Sequence, residues 1–339
     1  EKDQSRVQMR KIKTAVVGVG SLGRHHLRWL AELEPSELVG LYDVDPEKAA
    51  KYSEQYKVPA FESLEALAEK AEAVSIVVPT TAHFEVGSFL INKGIHCLIE
   101  KPITPKLEES AELQKLADDK GVKVTVGQIE RFNPAVRSLE GIDVRPSFIE
   151  AHRLAAFDPR GTDVAVVLDL MIHDIDLTLM FVKSKVVNVQ ASAVAVISEQ
   201  ADIANARLTF ENGAVANLTA SRISLKPMRK LRFFQKSGYY SLDLAQKQAD
   251  LYRLAKPGEK AEGLRLPLGK SDQEIIYNKK ADTGQDMLAG ELQSFLRAVI
   301  DDSPVAVTVA EASEALRIAL EVERIGLESI AATMEESPA

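Results

Sequence analysis

Cysteine is nearly absent: Cys97 is the single one in 339 residues. One thiol cannot form an intrachain disulfide, and its place in an apolar run fits a reducing compartment, so a cytoplasmic protein is expected. Positive charge is also short, with 42 Lys and Arg against 50 Asp and Glu and a net charge of −8. A nucleic-acid binder needs a broad basic face, and this balance argues against one. The local basic run Lys226-Pro227-Met228-Arg229-Lys230-Leu231-Arg232 reads first as a solvated strand edge and second as an anion contact. No apolar stretch approaches the length that spans a membrane, and no signal peptide is visible. The polar start from Glu1 to Lys11 reads as a loose lead-in, and neither internal repeats nor low-complexity segments are seen.

What the chain does have is 45% hydrophobic residues, enough for a sizeable core, and a length that favours two domains over one. Its most informative stretch is Val16-Val17-Gly18-Val19-Gly20-Ser21-Leu22-Gly23, read together with Asp43. A short β-branched run enters a Gly-x-Gly-x-x-Gly turn, a helix-like segment follows, and a second apolar run ends on an acid about twenty residues later. This is the dinucleotide-binding fingerprint in its required context. Gly18 permits the tight turn, Gly20 lets the backbone approach a pyrophosphate, and Gly23 lets the helix pack close to the strand. The helix start around Ser21 and Leu22 offers unpaired N–H groups to the phosphates. A carboxylate at Asp43 accepts hydrogen bonds from the ribose of NAD and repels the 2′-phosphate of NADP. Val44, Asp45 and Pro46 supply no Arg to neutralise that phosphate, so NAD is expected over NADP. The alternative for Asp43 is a simple strand-end acid.

The first portion alternates strands at 12–18, 37–43, 73–78, 95–99 and 122–127 with helices at 22–34, 46–56, 63–70, 82–93 and 106–120. That alternation predicts an α/β fold, a doubly wound parallel sheet. Gly94 and Gly121 fall where helices should end, and Asp45 and Ser63 are candidate N-caps. After about Arg131, period-two runs appear at 147–157, 185–198, 203–210, 213–223, 229–236 and 239–244, with Asn212-Gly213 as a hairpin signal. This second portion reads as α+β with an antiparallel-rich sheet. One helix at about 163–182 interrupts it. Two more close the chain at about 284–301 and 310–330, the first with Leu288, Leu292, Phe295, Leu296 and Val299 on one face. Ala204, Ala206, Ala214, Ala216 and Ala220 suit a strand face packed on helices. Ile203, Val215 and Ile223 leave the other face partly apolar, which points to a homo-oligomer.

Two short segments carry the chemistry. Glu100-Lys101-Pro102 follows the apolar run Ile95 to Ile99, and in a doubly wound sheet a strand's carboxyl end faces the ligand crevice. Lys101 is therefore either aimed at a bound nicotinamide or a surface lysine opening a loop. Asp169 and His173 are four apart on a predicted helix and share a face. Histidine takes a proton from an alcohol near neutral pH, and a carboxylate one turn away orients it or binds a substrate hydroxyl. Against this stands a helix whose polar residues merely face water, although Leu168, Ile172, Ile175 and Leu179 imply a largely buried one. A metal site on Asp169 and His173 finds no further clustered His or Cys, and no metal is expected.

Gly18-x-Gly20-x-x-Gly23 with His26 just after it, Asp43, Pro79-Thr80-Thr81-x-His83, Glu100-Lys101-Pro102 and Asp169-x-x-x-His173-x-x-Asp176 together make the chain resemble one family. It is the glucose–fructose oxidoreductase / inositol dehydrogenase / rhizopine catabolism (Gfo/Idh/MocA) family of NAD(P)-dependent sugar dehydrogenases. The likeness spans almost the whole chain. It implies an N-terminal Rossmann domain, residues 1–130, and a C-terminal α+β domain, residues 131–339, whose open, mostly antiparallel sheet serves substrate binding and oligomerisation. The C-terminal helices are free to pack back on the first domain. It implies that Lys101 sits between the nicotinamide ribose and the substrate, that His173 is the general acid/base, and that Asp169 binds or orients the sugar. Gly18, Gly20, Ser21, Leu22, Gly23, Asp43, Pro79, Thr80, His83, Glu100 and Lys101 would line the cofactor, and Lys101–Pro102 is a candidate cis peptide.

Within the family, Gly127 to Pro134 and Asp169 to Asp176 look most like the nucleotide-sugar branch. That branch includes UDP-N-acetylglucosamine 3-dehydrogenases, which supply a 3-keto sugar to an aminotransferase on the way to the 3-amino sugars of lipid A variants. Met171, where many members carry Gly, departs from the generic polyol-dehydrogenase pattern. Asn133, and more weakly Arg131, are carried over as substrate contacts, although Asn133 precedes Pro134 and also suits a turn. The expected activity is oxidation of a secondary hydroxyl, at C3 of UDP-N-acetylglucosamine. The other readings are a dehydrogenase of a free sugar, an inositol or a UDP-uronate, and a non-catalytic NAD-binding regulator.

Overall fold

The computed structural model describes residues 10–157, 164–256, 258–260, 262–269 and 271–335. Most of the expected lead-in, Glu1–Met9, lies outside the described residues, as does residue 163, the expected first residue of the middle helix. The chain divides into two compact units. The first takes the residues up to Ile129 together with Asp286–Ser313, and the second takes Glu130–Gln285 and the residues from Glu314 onward.

The first unit runs β1 (Ile12–Val17), α1 (Gly23–Glu32), β2 (Ser36–Tyr42), α2 (Pro46–Tyr56), α3 (Leu64–Ala68), β3 (Ala73–Ile76), α4 (His83–Asn92), β4 (His96–Glu100), α5 (Leu107–Lys120) and β5 (Val124–Gly127). Its sheet has the order β2-β1-β3-β4-β5, and every pairing is parallel. The near-continuous burial of β1, β3 and β5 is what a parallel sheet covered on both faces requires. The sequence signals act locally as read. The Asp45 side chain accepts from the N–H groups of Glu47 and Lys48 at the start of α2, and Ser63 caps α3 through Ala66. Gly121 ends α5 in the left-handed conformation, φ 64°, where a side chain would be strained. Cys97 lies fully buried in β4, and burial pushes its thiol pKa up, which leaves it unreactive.

The second unit contains α6 (Pro134–Arg137), β6 (Phe148–Leu154), α7 (Ile172–Val182), β7 (Val186–Val194), β8 (Ile203–Phe210), β9 (Val215–Ser221), β10 (Met228–Gln235), β11 (Gly238–Asp243), β12 (Gln248–Leu254), β13 (Leu264–Pro267) and β14 (Glu274–Lys280). These form a nine-stranded sheet, β13-β14-β12-β11-β10-β6-β9-β8-β7. It is antiparallel except where β6 pairs with β9, and Asn212-Gly213 makes the expected hairpin between β8 and β9. Helix α8 (Met287–Ile300) returns to the first unit, where Leu288, Leu292, Phe295 and Leu296 join Leu27, Leu30 and Leu41 in one core. Helix α9 (Val309–Glu335) puts Ala315, Ile318, Ala319 and Val322 into the core of the second unit with Ala204, Ala206, Ala216 and Ala220.

Three expectations need correction. Strands β12, β13 and β14 were not anticipated, because few of their residues are buried (Ala249, Leu251 and Ile276) and their alternation is diluted by charge. The middle helix does not begin as an α-helix; Val167–Met171 forms a π-helical turn before α7. The basic run at 226–232 is not at a sheet edge. It opens β10, an interior strand paired with β11 and β6, whose Leu231 and Phe233 alternate onto the core face. Its cations answer carboxylates within the sheet: Arg232 pairs with Glu150 at 2.5 Å and Lys230 with Asp243 at 3.9 Å.

Candidate active site

The glycine loop leaves β1 and enters α1. Gly18 has φ 87°, and a Cβ there would stand 2.4 Å from the Val77 carbonyl oxygen; a Cβ on Gly23 would stand 1.9 Å from the Gly18 carbonyl oxygen. Both glycines are demanded by the protein's own packing. Gly20 is different, since a Cβ there would meet nothing within 4 Å. Its bare Cα faces open space, the cradle that close approach of a pyrophosphate needs. Ser21 and Leu22 are exposed beside it. Leu22 precedes α1 without a side-chain cap, and no acid sits in the first turn. The positive end of the helix is therefore left for an anion.

Asp43, just past β2, closes the same loop. Its Oδ2 accepts the Val19 N–H at 2.7 Å and its Oδ1 accepts the Asp45 N–H at 2.9 Å. A carboxylate has about four acceptor positions, so capacity remains for ribose hydroxyls. These groups fit a bound dinucleotide, with Gly20 and the start of α1 toward the phosphates and Asp43 toward a ribose.

At the ends of β3 and β4, Pro79 is exposed and Thr80 half-buried on a 3-10 turn, Thr80–Ala82. His83 does not share that exposure. It is 1% exposed, with Nδ1 2.9 Å from the Pro102 carbonyl oxygen and 3.2 Å from that of Ile103, and Nε2 3.0 Å from that of Val78. Burial lowers its pKa below the usual histidine value, against the opposing pull of those carbonyls. His83, expected to line the cofactor, is turned inward: both ring nitrogens face main-chain carbonyl oxygens, and the tautomer decides which of them donates. Glu100 likewise turns its carboxylate inward. Oε2 accepts the Lys101 N–H at 3.2 Å, and Oε1 lies 3.2 Å from Nε2 of the fully buried His26. Lys101 follows at the mouth of the sheet, half-buried, and its bond to Pro102 is cis.

In the second unit, Asp169 lies in the π-helical turn and His173 in the first turn of α7, and both are half-buried. π-Helical turns are frequent at functional sites. The neighbouring acids are buried and paired. Asp174 accepts from Arg153 at 3.0 and 2.8 Å, and a third Arg153 nitrogen donates to Glu130 at 2.8 Å. Arg131 grips Asp176 at 2.8 and 2.7 Å. Burial pulls the Arg153 pKa down, but Asp174 and Glu130 outweigh it and hold it above the usual arginine value. Arg153 and the role of Glu130 were missed in the sequence, because Arg153 belongs to no motif and its partners Glu130 and Asp174 are more than twenty residues away.

Asn133 and Arg131, carried over as substrate contacts, are both buried. Asn133 is 1% exposed. Its oxygen caps Ala135 at 3.0 Å, and its amide nitrogen donates to Glu130 and to the Leu244 carbonyl, both at 2.9 Å. No donor is left for a ligand. Arg131 is held bidentately by Asp176. Asp169 and His173 thus share one helical segment, and Glu100 and Lys101 share one strand end. Among the described residues, no three His, Cys, Asp or Glu side chains gather to hold a metal ion, and no helix is long and apolar enough to cross a membrane.

The model for the oxidoreductase family with an NAD-binding Rossmann fold matches residues 12–128, and that for the Gfo/Idh/MocA C-terminal domain matches residues 145–241. UDP-N-acetylglucosamine 3-dehydrogenase of Acidithiobacillus ferrooxidans is 37% identical over 322 residues, covering 94% of this chain and 98% of its own. A solved structure of that enzyme superposes with a TM-score of 0.86 at 35% identity, covering 95% of this chain and 99% of its own. Apo scyllo-inositol dehydrogenase of Lactobacillus casei, at 20% identity and a TM-score of 0.76, covers 95% of this chain and 98% of its own and shares the fold. With both domains matched and the glycine cradle, acid and lysine each at its strand end, the chain belongs to the Gfo/Idh/MocA family of NAD-binding oxidoreductases.

Proposed function

We propose that this protein oxidises the C3 hydroxyl of UDP-N-acetylglucosamine to the 3-keto sugar, with NAD as acceptor. The observation that carries the reading is the 37% identity to an enzyme of that name across 94% of this chain and 98% of the other. The first unit binds the cofactor and the second the sugar nucleotide. NAD is favoured over NADP because the Asp43 carboxylate repels a 2′-phosphate and the next residues bring no Arg.

Bound nicotinamide supplies the hydride acceptor. His173 takes the hydroxyl proton as general base, and Asp169 orients it or binds a neighbouring sugar hydroxyl. The Lys101 ammonium hydrogen-bonds the same oxygen and stabilises its developing negative charge. A 3-keto sugar is a substrate for transamination, so an aminotransferase is the natural next enzyme, toward a 3-amino sugar for lipid A or a cell-surface glycan. A cytoplasmic setting suits the lone buried thiol.

A homo-oligomer is supported by the face of the nine-stranded sheet opposite the core. There Phe148, Phe234, Tyr239, Tyr252 and Tyr277 form a row across five neighbouring strands, with ring centroids 4.8–5.6 Å apart. A second copy would cover it, and the mass in solution tests this.

The deciding experiment follows NADH absorbance on mixing the enzyme, NAD and UDP-N-acetylglucosamine with a carbonyl trap. NADP, free N-acetylglucosamine, inositol and a UDP-uronate run alongside. A rise with UDP-N-acetylglucosamine alone is expected. A rise with free sugar or inositol instead overturns the substrate, and silence with all of them, after a check for tightly held NADH, favours a non-catalytic NAD binder.

A further inference from the structure

Lys101 is the first residue beyond the parallel ladder, whose last pair joins Glu100 of β4 to Gly127 of β5. The sheet therefore stops fixing the backbone at the residue on which the proposed chemistry depends. Other contacts take over on both sides of it. On the upstream side, the Glu100 carboxylate sits in a slot. One oxygen accepts the Lys101 N–H at 3.2 Å; the other faces His26 Nε2 at 3.2 Å. His26 is in turn held through Nδ1, 2.8 Å from the Ser75 hydroxyl on β3. The slot is floored by Gly127, where a Cβ would stand 2.8 Å from Glu100 Oε1. On the downstream side, His83 Nδ1 meets the carbonyls of Pro102 and Ile103, and its Nε2 meets that of Val78. That ring lies between the loop after β4 and the loop after β3, and its N–H donates to one of them.

His26 is 0% and His83 1% exposed. Burying an imidazole is costly, the more so at His26, whose Nε2 faces Glu100 without a hydrogen bond, and a leucine would fill the same volume without that burden. Instead, His26 faces the carboxylate that accepts the Lys101 N–H, and His83 meets the carbonyls of the two residues after that lysine. We propose that His26, acting through Glu100, and His83, acting through the Pro102 and Ile103 carbonyls, are positioning residues that together hold Lys101 at the reacting hydroxyl. This rests on the reading of Lys101 given above. A reacting group misplaced by about 1 Å loses up to about 10²-fold in rate, so such a frame acts on turnover rather than on affinity.

The test uses the full-length enzyme in the trapped NADH assay, with NADH affinity by fluorescence titration and a melting temperature for each variant. H26A and H83A are expected to lower kcat by about 10–100-fold. The KM for the sugar nucleotide and the NADH affinity should stay within about threefold of the parent. H26Q, which still reaches Glu100, and H83N, which still offers a donor to Pro102 and Ile103, should recover most of the loss. In a K101A background, adding H83A should remove little further activity, because the group being positioned is already gone. Full turnover in H26A and H83A beside an inactive K101A overturns the frame alone. So does a kcat loss that tracks NADH affinity, or one that persists undiminished in the K101A background. If H26A is not recovered folded, H26Q and H26N decide. Gln spans to Glu100 and Asn only to Ser75, so equal turnover overturns the proposal and roughly tenfold higher turnover in H26Q supports it. Wild-type turnover in K101A overturns the site reading itself and the frame with it.

Discussion

The two units bury polar groups beside their candidate reactive residues by different means. In the first, histidines reach main-chain carbonyls and a carboxylate around the Lys101 loop. In the second, arginines clamp side-chain carboxylates on α7, the helix that carries His173. The physical reason lies in the backbone. A loop has unpaired peptide groups, so an imidazole N–H can hold it directly. A helix has already paired its interior peptide groups, so it can be anchored only through side chains, and a buried carboxylate needs a cation. The first unit thus holds a residue by its backbone and the second holds a whole helix by its flanking acids.

Separating the halves chemically is the strongest way to sharpen that contrast. Removing the proton acceptor in H173A should lower kcat by about 10²–10⁴-fold with NADH affinity unchanged, measured by stopped-flow turnover and fluorescence titration. A parallel loss of NADH binding would erase the distinction. The next largest effect falls on stability. R153A leaves Asp174 and Glu130 buried without their cation and should destabilise the protein by about 3–5 kcal/mol, read from denaturant melts. An unchanged melt would mean that the clamp holds nothing.

Smaller effects test the first unit. Gly20→Val should leave the melting temperature unaltered, because a Cβ there meets no protein atom, while weakening NADH binding about tenfold or more. Gly23→Ala should behave oppositely and destabilise, since its Cβ would collide with the Gly18 carbonyl. Equal melting temperatures for the two would show that the glycines serve one purpose. The smallest effect concerns acid. Burial pushes Asp202 up, but the N–H groups of Ile197, Ser198 and Val196 and the Ser198 hydroxyl override it and hold its pKa at about 2. Its folded value is below its unfolded one, so its stabilisation is full above the ordinary carboxylate range and fades as pH falls toward about 2. D202N should flatten that part of the pH–stability curve, and an identical curve would remove the assignment.

Legibility followed the range of the interactions. The glycine turn, the caps at Asp45 and Ser63, the Asn212-Gly213 hairpin and the face of α8 were readable because each depends on residues a few positions apart. The catalytic candidates Lys101, Asp169 and His173 stood out by their place at strand ends or along a helix. Strands β12–β14 were hidden because their alternation carries little buried apolar surface. For the carried-over contacts Asn133, Arg131 and His83, identity and spacing do not say whether a polar side chain points outward or inward, and the structure buries all three.

By itself, then, the amino-acid order determined the alternating α/β half, the antiparallel half and the dinucleotide cradle, because backbone sterics and hydrophobic periodicity act locally. Only the tertiary structure decided that α8 returns to the first unit, that Lys226–Arg232 opens an interior strand, that Arg153 answers Asp174, and that His26 meets Glu100. Those outcomes depend on burial and on partners tens to hundreds of residues away, which no local pattern encodes.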